Sequence, residues 1–529
     1  MKVLLVRPQA PNKLSFTKIL DNEPLELEYL HTVLANAGYE DYIYDGLLEK
    51  QTVLETIMRE KPDVIAITGY ITQQKLMIQF CETAKNINPE IATIIGGVHA
   101  QRNYENFYEP NVDFICRSES CDAFVELISI VEKMKNLKLD KSEENNIANF
   151  AVDVEIETRN NQMDIRSENK YTQDCFNDDI KNKDVIEIED KRNEMFGKNK
   201  NENDIDNDID NGRNGLLTKI NGLCYKNEQG LWKCNDLVPI DINSLPIPDR
   251  TFFYKNKENF RYLDLTSVAT IKTSFSCPFT CNFCYCTLLA GGRYNTRNLD
   301  LVIEELKNID ARNIQIVDDD FLVDRNRLIE FIRLVKENKI EKTYICYARA
   351  DFVARNSDIV ETLADIGFKY FLVGLEAVTD EELTGYNKQT GADVNKKCVE
   401  VIRATSAHCI ALMIAPIDAT KEYFDKLYKW VLNNDIKYVT VSIFTPIPGT
   451  PLYNEYKDRI TSKDIEDWDF LHLVVDPVNL SRREFYRQHN KLFLRLYQIA
   501  KKTGIYDFMD LKFYKRMLQE YLRRKIKGN

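Results

Sequence analysis

Nowhere in the 529 residues does an apolar run approach the roughly 18–20 residues that a membrane-spanning helix requires. Positive charge is also in short supply: 71 Lys and Arg stand against 83 Asp and Glu, a net charge of −12. No overall basic field is available to attract nucleic acid, so a nucleic-acid partner is not expected. A secretory leader is lacking as well, because Met1–Pro8 is too short an apolar run and carries no cleavage site. The 13 cysteines of such a chain point to a reducing, cytoplasmic setting. Length argues for more than one domain, since roughly 150 residues per domain predicts two to four.

What the sequence does contain is centred on Ser274–Tyr285. Cys277, Cys281 and Cys284 stand in the spacing C-x-x-x-C-x-x-C, with Phe283 immediately before the last. Three thiolates on one tight loop can hold three irons of a cubane cluster and leave the fourth iron open to a small molecule. A zinc knot competes, but zinc sites normally want a fourth Cys or His at C-x-x-C spacing. Cys286 stands too near Cys284 to close a tetrahedron comfortably.

This stretch resembles the signature of the radical S-adenosylmethionine (SAM) enzymes, in which the open iron binds the amino and carboxylate groups of SAM. The resemblance implies a 4Fe-4S cluster on Cys277, Cys281 and Cys284, SAM as cofactor, and a reductant such as flavodoxin or ferredoxin.

Upstream, strands at Lys2–Val6, Asp41–Tyr44, Val64–Ile67, Ile91–Ile95 and Phe114–Cys116 alternate with helical patterns, among them Val53–Arg59, Lys75–Ile87 and Ala123–Met134. That rhythm predicts a doubly wound, Rossmann-like parallel sheet over residues 1–135. Ligands of such sheets sit outside the carboxyl ends of the strands, where Thr68-Gly69-Tyr70 and Gly96-Gly97 lie. These turns resemble the cobalamin-binding domain that precedes the barrel in one branch of radical SAM enzymes. The resemblance implies that Thr68, Gly69 and Tyr70 border cobalamin together with Gly96, Gly97, Val98 and His99, and with Glu119 after the next strand. A glycine pair lets the backbone approach a large flat ligand that a Cβ would obstruct. The better-known corrinoid motif D-x-H-x-x-G is missing, because Asp45-Gly46-Leu47-Leu48 has no histidine in place. The lower face of the corrinoid is therefore expected to be empty or covered by another side chain.

Residues 136–214 are rich in Asn, Asp, Glu and Lys and read as a disordered polar insert. They lack the glycine and closing Glu of a calcium loop. Between 215 and 262 a β-hairpin, Asn221–Tyr225 with Leu231–Cys234, precedes the stiff crossing Leu245–Arg250. Cys224 and Cys234 would face each other across that hairpin, as packing partners or as a metal pair.

Over 263–455 six βα units predict a partial (β/α)6 barrel, with strands near Val268–Thr273, Asn313–Asp318, Tyr344–Ala348, Tyr370–Gly374, Ile410–Ala415 and Tyr438–Phe444. From the family resemblance, Phe283, Arg349, Glu376 and Thr445 are carried over as SAM contacts. Asp318-Asp319-Asp320 admits a magnesium site, a general base, or acids that cap a helix and fix neighbours. The region 456–529 is helical, with Phe485, Leu492, Leu496 and Ile499 as one stripe and a basic last helix around Lys512–Lys527. That last helix either packs on the barrel or makes a peripheral contact with an anionic membrane. His472 and Tyr506 are candidates for the substrate pocket.

The family likeness implies a cobalamin-dependent C-methyltransferase acting on an unactivated carbon of a small molecule or lipid, with an isoprenoid such as a hopanoid as the expected substrate. A cyclase or rearrangement enzyme with the same cofactors, and a non-catalytic corrinoid or iron–sulfur sensor, are the alternatives.

Overall fold

The computed structural model describes residues 1–9, 20–139, 212–289 and 292–504, with 507 and 515. Most of the polar insert, Tyr506 and nearly all of the basic last helix lie outside the described residues. The chain forms two compact units, one of residues 1–125 with 236–529 and one of residues 126–235.

In the first unit, β1 (Lys2–Arg7), α1 (Leu25–Asn36), β2 (Glu40–Asp45), α2 (Val53–Glu60), β3 (Val64–Ile67), α3 (Gln74–Ile87), β4 (Ala92–Ile95), α4 (Val98–Asn103) and β5 (Phe114–Cys116) follow in turn. The strands pair in parallel in the order β2-β1-β3-β4-β5. Val3, Leu4, Leu5 and Val6 are all fully buried, as a parallel strand covered on both faces demands. Thr52 and Glu55 form a reciprocal capping box that starts α2. The strand order reverses between β1 and β3, so a ligand crevice is expected where Arg7 and Thr68 leave the sheet.

The barrel strands are β8 (Val268–Ile271), β9 (Asn313–Ile316), β10 (Thr343–Arg349), β11 (Phe368–Glu376), β12 (His408–Ala415) and β13 (Tyr438–Ile443), after the hairpin strands β6 and β7 given below. All six pair in parallel in chain order. Helices α6 (Leu299–Asn308), α7 (Arg325–Glu337), α8 (Ser357–Asp365), α9 (Ala392–Arg403) and α10 (Lys421–Asn433) return the chain between them, and α5 (Cys121–Leu139) precedes them all. Aromatic rings fill the core between strand and helix, with Tyr344 and Phe368 stacked at 4.7 Å. The stripe predicted near the carboxyl terminus lies on α11 (Arg482–Lys501). Its Phe485, Leu492 and Leu496 join the barrel core, and Phe485 meets Phe424 edge-on at 5.4 Å. Among the described residues no helix is long and apolar enough to cross a membrane.

The Leu245–Arg250 crossing ends in a buried charge network. Arg250 donates to Glu23, to the Thr270 carbonyl at 2.8 Å and to Glu305 at 2.6 Å. Thr270 Oγ1 donates to Glu23 at 2.8 Å, and Arg297 pairs with Glu305 at 2.5 Å. Glu28 of α1 accepts from the Phe253 backbone N–H at 2.9 Å. Two guanidiniums thus face three carboxylates that are wholly enclosed. Burial and the neighbouring Glu23 push the Glu28 carboxyl up to about 9.

The second unit contains the hairpin β6 (Leu223–Lys226) and β7 (Trp232–Cys234), antiparallel with Cys224 opposite Cys234. These two cysteines form a disulfide, which replaces both the packing and the metal-pair readings of the sequence. Direct opposition on adjacent strands brings their sulfurs within bonding reach.

Removing Arg250 would leave Glu23 and Glu305 without their shared cation. Arg250→Ala should cost about 3–5 kcal/mol, whereas Lys75→Ala at the exposed Lys75–Asp464 pair should cost about 0–1 kcal/mol. Chemical denaturation of both variants measures the contrast. Glu28 adds a pH dependence. Its carboxyl is held protonated in the fold, so its contribution to stability is complete below pH 4.5 and is lost as pH rises towards about 9. Glu28→Gln should flatten that slope in denaturation midpoints taken between pH 6 and pH 9.

Candidate cofactor site

Beyond β8 the chain is pinned by Asp318, at the carboxyl end of β9. Asp318 accepts from the Thr273 backbone at 2.6 Å, Thr273 Oγ1 at 2.5 Å and Ser274 Oγ at 2.8 Å. Its oxygens are committed, so of the three sequence readings of the triple-aspartate run the one that fixes neighbours holds for Asp318. Asp320 differs. Burial pushes its carboxyl up to about 7, Oδ1 accepts from the Leu322 N–H at 3.2 Å, and Oδ2 has no partner. Ser276 then adopts φ +63°, a left-handed turn that starts the cysteine loop.

All three loop cysteines are free thiols. Among the described residues no three His, Cys, Asp or Glu side chains gather as the chelators of a single ion would. A cubane distributes its thiolates over separate irons. Arg349, at the end of β10, donates to Cys281 Sγ at 3.5 Å and lies over the Phe279 ring at 3.7 Å. The same guanidinium donates to Asp351 at 3.0 Å and to the Lys388 carbonyl at 2.6 Å. Burial pushes the Cys277 thiol up to about 12. Cys281 is raised by burial, against which the charges of Lys388 and Arg349 favour its thiolate. Cys284 is lowered, chiefly by its hydrogen bond with Cys286.

Glu376 ends β11 in a left-handed conformation, φ +62°, and its carboxylate accepts from Lys388 Nζ at 2.8 Å. Gly374 makes room for this pair, because a Cβ there would collide with Glu376 Oε1 and stand 2.8 Å from Lys388 Nζ. Phe283 packs edge-on against Tyr386 at 5.4 Å. Thr445 is buried and its hydroxyl donates to the Ile443 carbonyl, so that hydroxyl proton is engaged inside the protein.

On the first-domain side, Gly97 has φ +86°, and a Cβ there would collide with Thr68 Oγ1. Gly96 is unlike it: a Cβ would meet only Cys116 atoms, at 3.7 and 3.9 Å, which is ordinary contact. Tyr70 is 59% exposed, yet burial raises its phenol, followed by the effect of Glu26. Glu26 is likewise exposed, and burial raises its carboxyl. Tyr285 and Tyr347 on the barrel side are both raised by burial, and Tyr70 raises both further.

His99 is 4% exposed, meets Gln74 Oε1 at 2.7 Å and Phe107 at 5.5 Å, and burial lowers it to about 4. A neutral imidazole held there buttresses the turn. Val98 and Glu119 are half-buried. His472 is also paired inward, with Asp469 at 2.8 Å. Lys388, Tyr347 and Glu26 escaped the sequence reading because nothing local marks them; they converge only through the fold.

The residues present fit the implied groups. Three free thiols share one loop with a guanidinium against a sulfur, and the Gly96 turn has room that no side chain fills. The B12 binding domain family matches residues 19–128, and the radical SAM superfamily matches residues 271–431. The chain thus carries a B12-binding domain followed by a radical SAM domain.

Among curated proteins, it is 27% identical over 234 residues to the hopanoid C-3 methylase of Methylococcus capsulatus, covering 44% of this chain and 45% of that protein. An uncharacterized methyltransferase of Pyrococcus horikoshii is 22% identical over 94% of this chain and 92% of its own length. The anaerobic magnesium-protoporphyrin IX monomethyl ester cyclase of Cereibacter sphaeroides is 21% identical over 96% of this chain and 72% of its own length. The fold is shared with the cobalamin-dependent SAM radical enzyme OxsB, solved with aqua-cobalamin and SAM bound. Its TM-score is 0.63 at 14% identity, over 100% of this chain and 71% of that one. It is also shared with the radical SAM methyltransferase TsrM of Kitasatospora setae, with a TM-score of 0.55 at 14% identity over 87% and 75% of the two chains.

The two glycines allow a clean test of the turn. Gly96→Leu should keep the fold and block corrinoid uptake, while Gly97→Leu should lower the melting temperature as well. Absorbance of bound corrinoid and a thermal melt read the two effects. For the loop, Cys281→Ala should abolish the visible absorbance of the cluster, and Cys286→Ala should retain it.

Proposed function

We propose that the protein is a cobalamin-dependent radical SAM C-methyltransferase acting on an unactivated carbon of a lipid or isoprenoid. One observation carries this reading: a loop of three free cysteines and an unfilled Gly96 turn stand in one compact unit, each outside the carboxyl ends of a parallel sheet.

When bound, the cluster and SAM supply a carbon-centred radical, and cobalamin supplies the methyl group. Cys277, Cys281 and Cys284 would hold the cluster as thiolates, with Arg349 donating to Cys281. Glu376, Phe283 and the chain at Thr445 would orient SAM. Thr68, Gly69, Gly96, Gly97, Val98 and Glu119 would border the corrinoid, and Tyr70 would cover one of its faces. Tyr70 and Tyr347 would exclude bulk water from the reacting carbon. A one-electron reductant of the flavodoxin or ferredoxin type would reduce the cluster.

The likeness to a methylase named for hopanoids supports the lipid substrate. The longer likeness to a cyclase supports a second reading, in which the same cofactors close a ring without methyl transfer.

Product analysis separates the two. The anaerobically reconstituted protein, incubated with methyl-labelled SAM and a lipid extract, should yield a product heavier by one labelled methyl, with S-adenosylhomocysteine and 5′-deoxyadenosine. Formation of 5′-deoxyadenosine without label in the product would favour the cyclase. Failure to cleave SAM after full loading would sink both.

A further inference from the structure

Lys388 is the one strongly basic residue that the structure buries beside the cysteine loop without the sequence having marked it. It is 6% exposed. Its neighbours on both sides are tied to the loop. The Asn282 N–H donates to the Tyr386 carbonyl at 3.0 Å, Asn387 Nδ2 to the Thr280 carbonyl at 2.8 Å, and Gln389 Nε2 to Thr280 Oγ1 at 3.3 Å. Its Nζ lies 5.9 Å from the ring of Phe283, the residue before Cys284. Its carbonyl accepts from Arg349, whose other arm reaches Cys281 Sγ.

Keeping the ammonium there strains the chain. Asn387 and Gln389 have φ +49° and +58°, and Glu376 has φ +62°. Left-handed backbone is costly for a residue other than glycine. Gly374 in addition gives up its side-chain volume to the Glu376–Lys388 pair. An apolar pair of similar size would stabilise the fold at least as well as this buried ion pair, so packing alone does not account for it.

We infer that Lys388, together with Arg349, sets the reduction potential of the cluster, with Glu376 offsetting part of the lysine's charge. The inference rests on Cys277, Cys281 and Cys284 being the cluster ligands. Reduction adds one negative charge to a cluster whose three ligands are already thiolates. A cation held nearby in a medium of low dielectric constant stabilises the reduced form and raises the potential. Other charges facing the site are Asp351, paired to Arg349 at 3.0 Å, Asp320, whose Oδ2 has no partner, and Asp319, which acts on both Cys277 and Cys284. Lys388 is therefore a positioning and tuning residue.

The test is a redox titration of the anaerobically reconstituted full-length chain, followed by electron paramagnetic resonance without SAM or substrate. Iron content and visible absorbance report cluster loading independently. Lys388→Met should shift the midpoint to more negative potential, and Lys388→Arg should restore it. Glu376→Gln, which leaves the lysine charge unopposed, should shift it to more positive potential. A loaded Lys388→Met protein with the unaltered midpoint would overturn the inference. If Lys388→Met fails to load, Glu376→Gln decides, and an unchanged or more negative midpoint there also overturns it. A parent chain that takes up no cubane would overturn instead the ligand reading on which the inference stands.

Discussion

A buried guanidinium, Arg250, is the point on which the first compact unit depends. It meets Glu23 just ahead of α1, the Thr270 carbonyl on the first barrel strand, and Glu305 on α6. One side chain thereby connects the amino-terminal sheet to the barrel. The attraction is strong because water is excluded, and water is excluded because hydrophobic packing closes around it; neither holds alone. Carboxylates outnumber guanidiniums there, and the excess is relieved by a proton on Glu28.

With that joint fixed, two kinds of turn stand in one compact unit. On the barrel side, polar atoms are over-determined: Asp318 makes three hydrogen bonds to hold Thr273 and Ser274, and Arg349 reaches Cys281, Asp351 and the Lys388 carbonyl. On the amino-terminal side, burial raises both the phenol of Tyr70 and the carboxyl of Glu26, against which Arg7 favours their ionised forms.

The fold was legible because both sheets are parallel and buried on both faces. Runs such as Val64–Ile67, flanked by helical patterns, leave few alternatives, and Phe114–Cys116 is a strand with the ends expected of it. The cysteine loop was legible because its residues are contiguous. The partners of His99 were not legible, because a Gly-Gly-x-His turn says nothing of where the ring points; packing against Phe107 and Gln74 decides that. Lys388 is separated from Glu376 by the short helix Asp380–Gly385 and by Asn387 in a left-handed conformation, so no periodicity connects them. That Cys224 and Cys234 face each other was legible from the hairpin, but their bond was not, because a reducing setting argued for free thiols.

Gly96 and Gly97 stand side by side and answer to different pressures. Position 97 serves the chain itself, since its conformation and the nearness of Thr68 forbid a side chain whether or not anything is bound. Position 96 is under no such demand from the chain, since a Cβ there would make only ordinary contacts. In a lineage that had abandoned its corrinoid, the second glycine would persist and the first would drift, so the pair would record the loss of a cofactor long after the remaining architecture had stayed the same.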